Sequence, residues 1–402
     1  MFLEHYTRAT KYLEKGNVEK ALQFYKKETA INEFKECYLN MGNAYRLLNK
    51  DKDAYRCYLN AADPSMPFSD NTFGPYALAL GNLGLLEYTF GNDNAAIEFY
   101  LLALDIDPLH YDSIWNYSSA LLRQWCSNEE VDIISAWKMY DFRFKRNVSR
   151  TTIDNTIPRW DGISRGRSIV VLAEQGLGDK FMWGRYVACL KEYFEEVWVQ
   201  VPECMHTVFS EYKTCRVVEN TGEVSIPLAS LAARFEMVPG DWLRGKFGTR
   251  EFDTSNLNIG IEWAGSSSHT NDRNRSCPVG YFSELAKYGT LYSLRADAPR
   301  VKGIEHLGCK SWAETAEAVN GLDLVISVDT SITHLCGSLG SECWVLQPLK
   351  ETDFRWGNNS MGEKNIWYSS VKVIRNPNSW IKVLDEVKLR LELMKLQRNV
   401  SN

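Results

Sequence analysis

Hydrophobic and small residues recur with a fixed spacing over the first 145 positions. The recurring positions are Tyr12, Gly16, Ala21 and Tyr25, then Tyr45, Ala54 and Tyr58 at a shift of 33 residues, and then Leu83, Gly84, Gly91, Ala96, Tyr100, Ala103 and Pro108. A unit of this length forms a helix hairpin, and its apolar side is buried only when several hairpins stack. The pattern therefore predicts an array of helix hairpins over residues 1–145, with a degenerate fourth unit from about Tyr111 to Phe144.

Beyond Arg167, short apolar runs alternate with helix patterns. Ser168–Ala173 and Val197–Val201 are typical of buried strands, and a second alternating series begins at Asn258. Such alternation indicates parallel sheets with helical crossovers. After a linker at 146–166, we expect two Rossmann-like halves at 167–250 and 251–402, with the carboxyl ends of both sheets directed towards one ligand.

One strand-to-helix junction in the second half has the chemistry of an anion site. Leu324–Val328 is a buried strand pattern, Asp329, Thr330 and Ser331 suit a helix start, and Gly340 suits its end. The bare amides and the positive dipole end of such a helix favour phosphate. His334 lies one turn further along. Two interpretations stay open here, a phosphate site and a capped helix with a hydrogen-bonded core histidine.

A comparable junction occurs in the first half. The strand pattern at Ser168–Ala173 leads into a loop that contains Gln175, Gly176, Gly178 and Asp179, with a helix expected from about Phe181. A carboxylate at this edge of a sheet can act as a general base. Alternatively, Asp179 caps the helix that follows.

Composition narrows the class of protein. The chain has 402 residues, of which 45% are hydrophobic and 24% charged, which is ordinary for globular domains. No apolar run reaches the roughly 20 residues of a membrane span, and the first residues lack a signal-peptide pattern. Ten cysteines without a Cys-x-x-Cys pair suit reduced thiols, so we expect a cytoplasmic protein. A net charge of −5 argues against a protein that coats nucleic acid generally.

Three motifs in order carry a resemblance to a known family. They are Ala173-Glu-Gln-Gly-Leu-Gly-Asp179, Asn271-Asp-Arg-Asn-Arg-Ser276 and Val328-Asp-Thr-Ser-Ile-Thr-His334-Leu. With the repeats, the chain resembles bacterial tetratricopeptide-repeat (TPR) proteins that carry a glycosyltransferase region similar to the lipopolysaccharide heptosyltransferase family. The resemblance implies a TPR helical solenoid followed by a GT-B fold, with 167–250 as the acceptor side and 251–402 as the nucleotide-sugar donor side.

The resemblance also implies roles for individual residues. Asp179 falls on the family's catalytic aspartate, which takes a proton from the acceptor hydroxyl. Asp329, Thr330 and His334, with Ser331 between them, match an Asp-Thr-x-x-x-His element that contacts the diphosphate and sugar of the donor. The glycine loop formed by Gln175, Gly176 and Gly178 precedes the base.

Arginines are the expected partners of the donor's phosphates. Arg275, or Arg273 if the alignment slips, lies near the family's phosphate-facing lysine, and Arg295 is a further candidate. Such cations offset charge on the leaving diphosphate, although each could also be a solvated surface side chain. The catalytic half contains no credible Asp-x-Asp metal site, so we expect a transferase that needs no metal and no cofactor.

Several functions remain open at this stage. The first is an inverting, metal-independent glycosyltransferase with an unknown hydroxyl acceptor, whose repeats bind the acceptor or a protein partner on their concave face. A modified base in DNA is a less favoured acceptor, and it would require a basic track that starts at Arg143 and Lys145. The alternative is a non-catalytic TPR scaffold with a pseudo-glycosyltransferase domain.

Overall fold

The computed structural model describes residues 4–67, 74–126, 131–146, 156–210, 216–217, 222–235, 237–269, 271–347, 350–357, 362–375 and 379–401. Residues 147–155 of the predicted linker lie outside these ranges. The sequence Cys215-Arg-Val-Val-Glu219 predicts a further strand of the first half, and Cys215 and residues 218–219 of it also lie outside them. The chain divides into a helical unit and an α/β unit. The predicted domain boundaries stay a prediction.

The helical unit consists of antiparallel helix pairs. Its helices are α1 (Glu4–Glu14), α2 (Val18–Thr29), α3 (Lys35–Leu47), α4 (Asp51–Ala61), α5 (Gly74–Phe90), α6 (Asp93–Ile106), α7 (Tyr111–Trp125) and α8 (Ile133–Tyr140), followed by a 3-10 turn at Asp141–Phe144. Each consecutive pair packs as a hairpin, and each hairpin packs on the next. This arrangement confirms the predicted helical solenoid.

Small residues allow the paired helices to approach closely. A Cβ atom at Gly84 would lie 2.6 Å from Cε1 of Tyr100, and one at Gly42 would likewise meet the Tyr58 ring. Both tyrosines are fully buried. The repeated glycine and tyrosine positions therefore encode contacts within each hairpin.

A buried ion pair joins two hairpins of the helical unit. Arg123 in α7 pairs with Asp93 at the start of α6, and the two side chains are 1% and 5% exposed. The guanidinium also donates to the Tyr88 carbonyl at 2.6 Å and lies 3.5 Å from the centre of the Tyr88 ring. Because both charges are removed from water, either one alone would be costly to bury.

The α/β unit begins with a four-stranded parallel sheet of order β3-β2-β1-β4. The strands are β1 (Gly166–Leu172), β2 (Phe194–Gln200), β3 (Arg216–Val217) and β4 (Val224–Pro227). Helices α9 (Leu177–Trp183) and α10 (His206–Ser210) belong to this half, as do 3-10 segments at Gly184–Glu192, Glu203–Met205 and Leu228–Ala233.

A second parallel sheet follows, with six strands in the order β10-β9-β8-β5-β6-β7. Its strands are β5 (Asn258–Glu262), β6 (Thr290–Ser293), β7 (Glu305–His306), β8 (Leu324–Val328), β9 (Cys343–Leu346) and β10 (Val371–Ile374). The α-helices are α11 (Asp272–Arg275), α12 (Val279–Ser283), α13 (Trp312–Gly321), α14 (Ser331–Leu339) and α15 (Trp380–Ser401), with 3-10 turns at Glu284–Lys287 and Phe354–Trp356. Two parallel sheets with helical crossovers confirm the predicted fold class.

One boundary in the first half differs from the prediction. The helix after β1 begins at Leu177 rather than near Phe181, and it tightens into a 3-10 helix from Gly184. Gly178 and Asp179 are consequently helical residues, not loop residues. Glycine is required at position 178 because a side chain there would collide with the ring of His334.

Within the described ranges, none of the helices combines the length and the apolar character required to cross a membrane.

Candidate functional site

The predicted site residues follow the strands at which each sheet reverses its order. In the first sheet, β1 lies between β2 and β4, and in the second, β5 lies between β6 and β8. Crevices at the carboxyl ends of such strands are where ligands bind in open α/β sheets. The segment after β1 leads to Asp179, the segment after β5 leads to Arg275, and β8 leads directly to Asp329.

The two sheets' switch points meet through α9 and α14. The Ser338 hydroxyl in α14 donates to the Phe181 carbonyl in α9 at 3.1 Å. A Cβ atom on Gly178 would lie 2.7 Å from Cδ2 of His334. Gly178 therefore allows the imidazole to pack directly on the α9 backbone, and the two predicted motifs are in contact.

Asp179 has both carboxylate oxygens engaged. Its Oδ2 accepts the backbone N–H of Gly176 at 2.9 Å, so it caps its own helix. Its Oδ1 forms an ion pair with Arg355, a residue 176 positions away in sequence. The capping alternative is thus observed, and the role as a base stays a prediction.

Arg355 connects the two halves. Its Nη1 donates to both oxygens of Asp353 at 2.8 and 2.9 Å, while its Nη2 pairs with Asp179. The guanidinium carbon lies 5.7 Å from the Trp183 ring centre and 4.5 Å from that of Phe354. Two carboxylates and two aromatic rings thus hold the guanidinium in place, and the Arg355 side chain is only 10% exposed.

His334 is buried and hydrogen-bonded. Its Nδ1 lies 3.0 Å from the Tyr368 hydroxyl, and its ring centre is 5.0 Å from that of Trp356. Burial and the positive charge of Arg355 lower the pKa of His334 to about 3. The imidazole is therefore neutral near pH 7 and does not offer a cation to phosphate, which favours the core-histidine interpretation.

Asp329 and Asp353 influence each other's protonation. Burial and the negative charge of Asp353 raise the pKa of Asp329 to about 6, although Arg275 pulls in the opposite direction. Burial alone would raise the pKa of Asp353 as well, but Arg355 holds it below its ordinary value. Neighbouring carboxylates with separated pKa values are a common feature of functional sites.

The start of α14 is capped by one residue of the predicted set. The Thr330 hydroxyl accepts the N–H of Ile332 at 3.3 Å, and Ser331 is the first helical residue. Gly340 ends the helix in the left-handed conformation, with φ of 75°, as its position predicts. Asp329 precedes the cap and does not itself act as the cap.

The three candidate arginines lie in different surroundings. Arg275 donates from Nη1 to the Asp329 carbonyl at 3.2 Å, so it belongs to the same corner as α14. Arg273 is exposed. Arg295 donates to the Ala264 carbonyl at 2.8 Å and pairs with Asp297 at 3.0 Å. Of the three, the geometry places Arg275 beside Asp329.

Arg295 also approaches a buried carboxyl at the end of β5. Its Nη1 lies 3.4 Å from Oε1 of Glu262. Burial raises the pKa of Glu262 to about 7, despite the opposing effect of Arg295. Arg295 thus has protein partners of its own, and its predicted contact with a donor remains a prediction.

The glycine loop is held in a strained turn. Gln175 has φ of 67°, a left-handed conformation that costs a residue with a side chain about 1 kcal/mol or more. The buried Lys180 ammonium donates to the carbonyls of Gln175 and Gly176 at 2.9 and 3.3 Å. This contact orients the turn that presents Asp179.

Sequence reasoning missed the segment Asp353–Trp356, and it also missed Arg185 and Tyr368. Arg185 donates to the Trp367 carbonyl at 2.9 Å and lies 4.8 Å from the Tyr368 ring centre. A usable signal was present, since Asp-Phe-Arg-Trp-Gly follows β9 in the sheet that carries Asp329. The pairing with Asp179 had no local signal.

Arg143, at which the basic track of the DNA alternative would start, is buried. Its Nη1 donates to Asp141 at 2.6 Å and to the Tyr140 carbonyl at 3.3 Å. The DNA alternative stays a prediction. Over the ranges given above, His, Cys, Asp and Glu do not gather in threes that could hold a metal ion.

No family model and no curated protein sequence matches the chain. Solved structures do resemble it. The bacterial iron-containing dodecameric glycosyltransferase TibC from enterotoxigenic E. coli aligns over 60% of this chain and 78% of its own, with 8% identity and a TM-score of 0.43. A mutant O-GlcNAc transferase of Thermobaculum terrenum aligns over 98% and 92%, with 12% identity and a TM-score of 0.33. MamA aligns over 33% and 71%, with 21% identity and a TM-score of 0.27.

Proposed function

We propose that this chain is a glycosyltransferase that moves a sugar from a nucleotide-diphosphate donor to a hydroxyl acceptor with inversion. The observation that carries the proposal is the packing of α9, which bears Asp179, against α14, with Gly178 against the ring of His334 and the Phe181 carbonyl accepting from Ser338. One sheet's switch point supplies a carboxylate that pairs with Arg355, and the other supplies a helix start beside Arg275. A base opposite an anion-stabilising corner is the pair of groups that this reaction needs.

In the proposed reaction the acceptor oxygen attacks the anomeric carbon of the sugar. Asp179 takes the hydroxyl proton as the new C–O bond forms, while the bond to the diphosphate breaks and leaves its electron pair on the phosphate oxygen. The amides at the start of α14 and the guanidinium of Arg275 offset that charge. Arginines in this position can replace a metal's electrostatic role, which supports a metal-independent reaction as part of the proposal.

In this proposal the helical unit binds the acceptor or a protein partner. Stacked helix hairpins form extended concave surfaces that suit a peptide. A glycan, a protein side chain or a modified base in DNA are all hydroxyl-bearing acceptors, and the held guanidinium of Arg143 makes the DNA acceptor the least favoured. A cytoplasmic location is part of the proposal, because the nine cysteines within the described ranges are free thiols.

A thermal-shift panel of ADP, UDP and GDP tests donor binding. A ligand at 100 times its dissociation constant adds about 2.7 kcal/mol to the stability of the folded state, which corresponds to roughly 5–10 °C for a unit of this size. Transfer from the matching nucleotide sugar is then compared between wild type, Asp179→Ala and Asp385→Ala. Asp385 lies on α15 with a mostly exposed side chain, and serves as the matched control.

A non-catalytic scaffold is the second candidate, and one observation favours it. Both oxygens of Asp179 already accept hydrogen bonds from the protein, so an acceptor hydroxyl would have to share an engaged oxygen while the Arg355 pair is closed. Retained transfer or donor hydrolysis in Asp179→Ala would show that the base is misassigned. A wild type that shows no heat of binding with any nucleotide sugar would leave the scaffold as the better account.

A further inference from the structure

Arg355 is a cation that sequence reasoning did not identify, and it lies beside two carboxylates and close to α14. It pairs with Asp179 from the first half and with Asp353 from its own segment. The residue that follows it, Trp356, has its ring centre 5.0 Å from that of His334 in α14. The charge of Arg355 accordingly contributes to the lowered pKa of His334 and opposes the rise in the pKa of Asp329. A diphosphate bound at that corner would be a third anion close to the same guanidinium.

The partners of Arg355 are unequal. Asp353 lies two residues away and accepts from the guanidinium through both oxygens and from the backbone N–H of Arg355 at 3.0 Å. Asp179 offers a single oxygen, because its other oxygen caps α9. Phosphate accepts a guanidinium in the same bidentate way as a carboxylate and with more charge. The Asp179 contact is thus the one that a diphosphate would replace.

We propose that Arg355 exchanges partners during the reaction cycle, leaving Asp179 for the donor diphosphate while Asp353 keeps it in place. This inference rests on the proposed function. The exchange frees Oδ1 of Asp179 only after the nucleotide sugar is bound. It therefore makes donor binding a precondition for base catalysis, and it identifies Arg355 as a second diphosphate-binding cation beside Arg275.

The exchange predicts that Asp179 opposes nucleotide binding. Asp179→Asn keeps an oxygen that can cap Gly176 and removes the charge that competes for Arg355. We expect this variant to bind the nucleoside diphosphate about fivefold more tightly than wild type, since an ion pair of limited exposure no longer has to open. Arg355→Met should bind it about tenfold or more weakly, because a charge-assisted hydrogen bond is lost.

Isothermal titration of the full chain with ADP, UDP and GDP measures these affinities, and a double-mutant cycle isolates the exchange. In the Arg355→Met background, Asp179→Asn should give no gain in affinity. Arg390→Met is the matched control. Arg390 lies on α15 and, like Arg355, pairs with two carboxylates, those of Glu363 and Glu386. Its removal should leave the nucleotide affinity unchanged.

The outcomes separate the two proposals. If wild type binds a nucleoside diphosphate but Asp179→Asn binds it equally or less tightly, the partner exchange is wrong and the proposed function still stands. The partner exchange is equally wrong if Arg355→Met behaves like Arg390→Met. If wild type binds none of the three nucleotides, both proposals fail. Should Arg355→Met not fold, Arg355→Lys keeps the charge without the bidentate fork and should weaken binding to a smaller degree.

Discussion

Substitution of Gly178 by alanine tests the contact on which the site geometry depends. The added Cβ would lie 2.7 Å from Cδ2 of His334, and real Cβ atoms do not approach other atoms so closely. The imidazole has little room to withdraw, because Tyr368 holds its Nδ1 and Trp356 lies against its ring. The substitution must therefore separate α9 from α14 or displace the ring.

Two opposing effects set the change in the free energy of unfolding of Gly178→Ala. Overpacking a close contact costs about 1–3 kcal/mol. Replacing glycine by alanine inside a helix returns about 0.5–1 kcal/mol, since Gly178 lies within α9. The expected net loss is about 1–2 kcal/mol, which lowers the melting temperature by roughly 2–8 °C for a unit of this size.

Differential scanning calorimetry of four variants, Gly178→Ala, Gly280→Ala, His334→Ala and the Gly178→Ala/His334→Ala double variant, tests this contact. Gly280→Ala in α12 is the matched control, because nothing lies within 4 Å of its added Cβ, and it should be neutral or slightly stabilising. In a His334→Ala background, Gly178→Ala should no longer destabilise, since its collision partner is gone. A Gly178→Ala protein as stable as Gly280→Ala would refute the contact between the two motifs.

Four further measurements follow from the structure. The unfolded chain protonates His334 near pH 6.5 but the folded chain only near pH 3, so stability is lost as pH falls through that window. His334→Gln should remove about 2 kcal/mol of the stability change between pH 7 and pH 5 in denaturant titrations, and an unaltered pH dependence would contradict the assignment. Arg123→Ala leaves Asp93 buried without its partner and should destabilise the helical unit by about 3–5 kcal/mol in thermal circular dichroism, with a loss under about 1 kcal/mol counting against the pair. Arg275→Ala should weaken nucleoside diphosphate binding about tenfold in titration calorimetry while the exposed Arg273→Ala changes it little, and the reverse order would favour the slipped alignment. Sugar transfer should be unaffected by EDTA, and its loss with recovery on adding a divalent cation would refute metal independence.

Local patterns were sufficient to predict the fold. The recurring glycine and tyrosine positions predict hairpins because Gly84 and Tyr100 meet within one repeat. The run Leu324–Val328 and the cap at Thr330 are found at their predicted positions, since strand periodicity and helix capping depend on neighbours in sequence. The helix start at Leu177 was misjudged because glycine and aspartate are typical of loops, and only the packed ring of His334 explains a helical glycine there.

The sequence predicts less of the candidate site than of the fold. The placement of Asp179, Arg275 and Asp329 at strand ends follows from the parallel topology. The partner of Asp179 does not, because Arg355 is brought to it by the packing of two sheets and no spacing in the sequence encodes that distance. The neutral state of His334 likewise depends on burial by residues from separate elements.

The strand order of the second sheet also bears on how the protein forms during synthesis. Each helix hairpin joins neighbouring segments and can close as soon as its second helix has left the ribosome. Strand β5 is completed in two steps, because Ile259 pairs with Leu291 on one side but with Leu324, 65 residues later, on the other. A nascent chain that stalls between Leu291 and Leu324 would leave one edge unpaired on a strand whose every residue is buried in the folded protein, so this interval is where chaperone capture should concentrate.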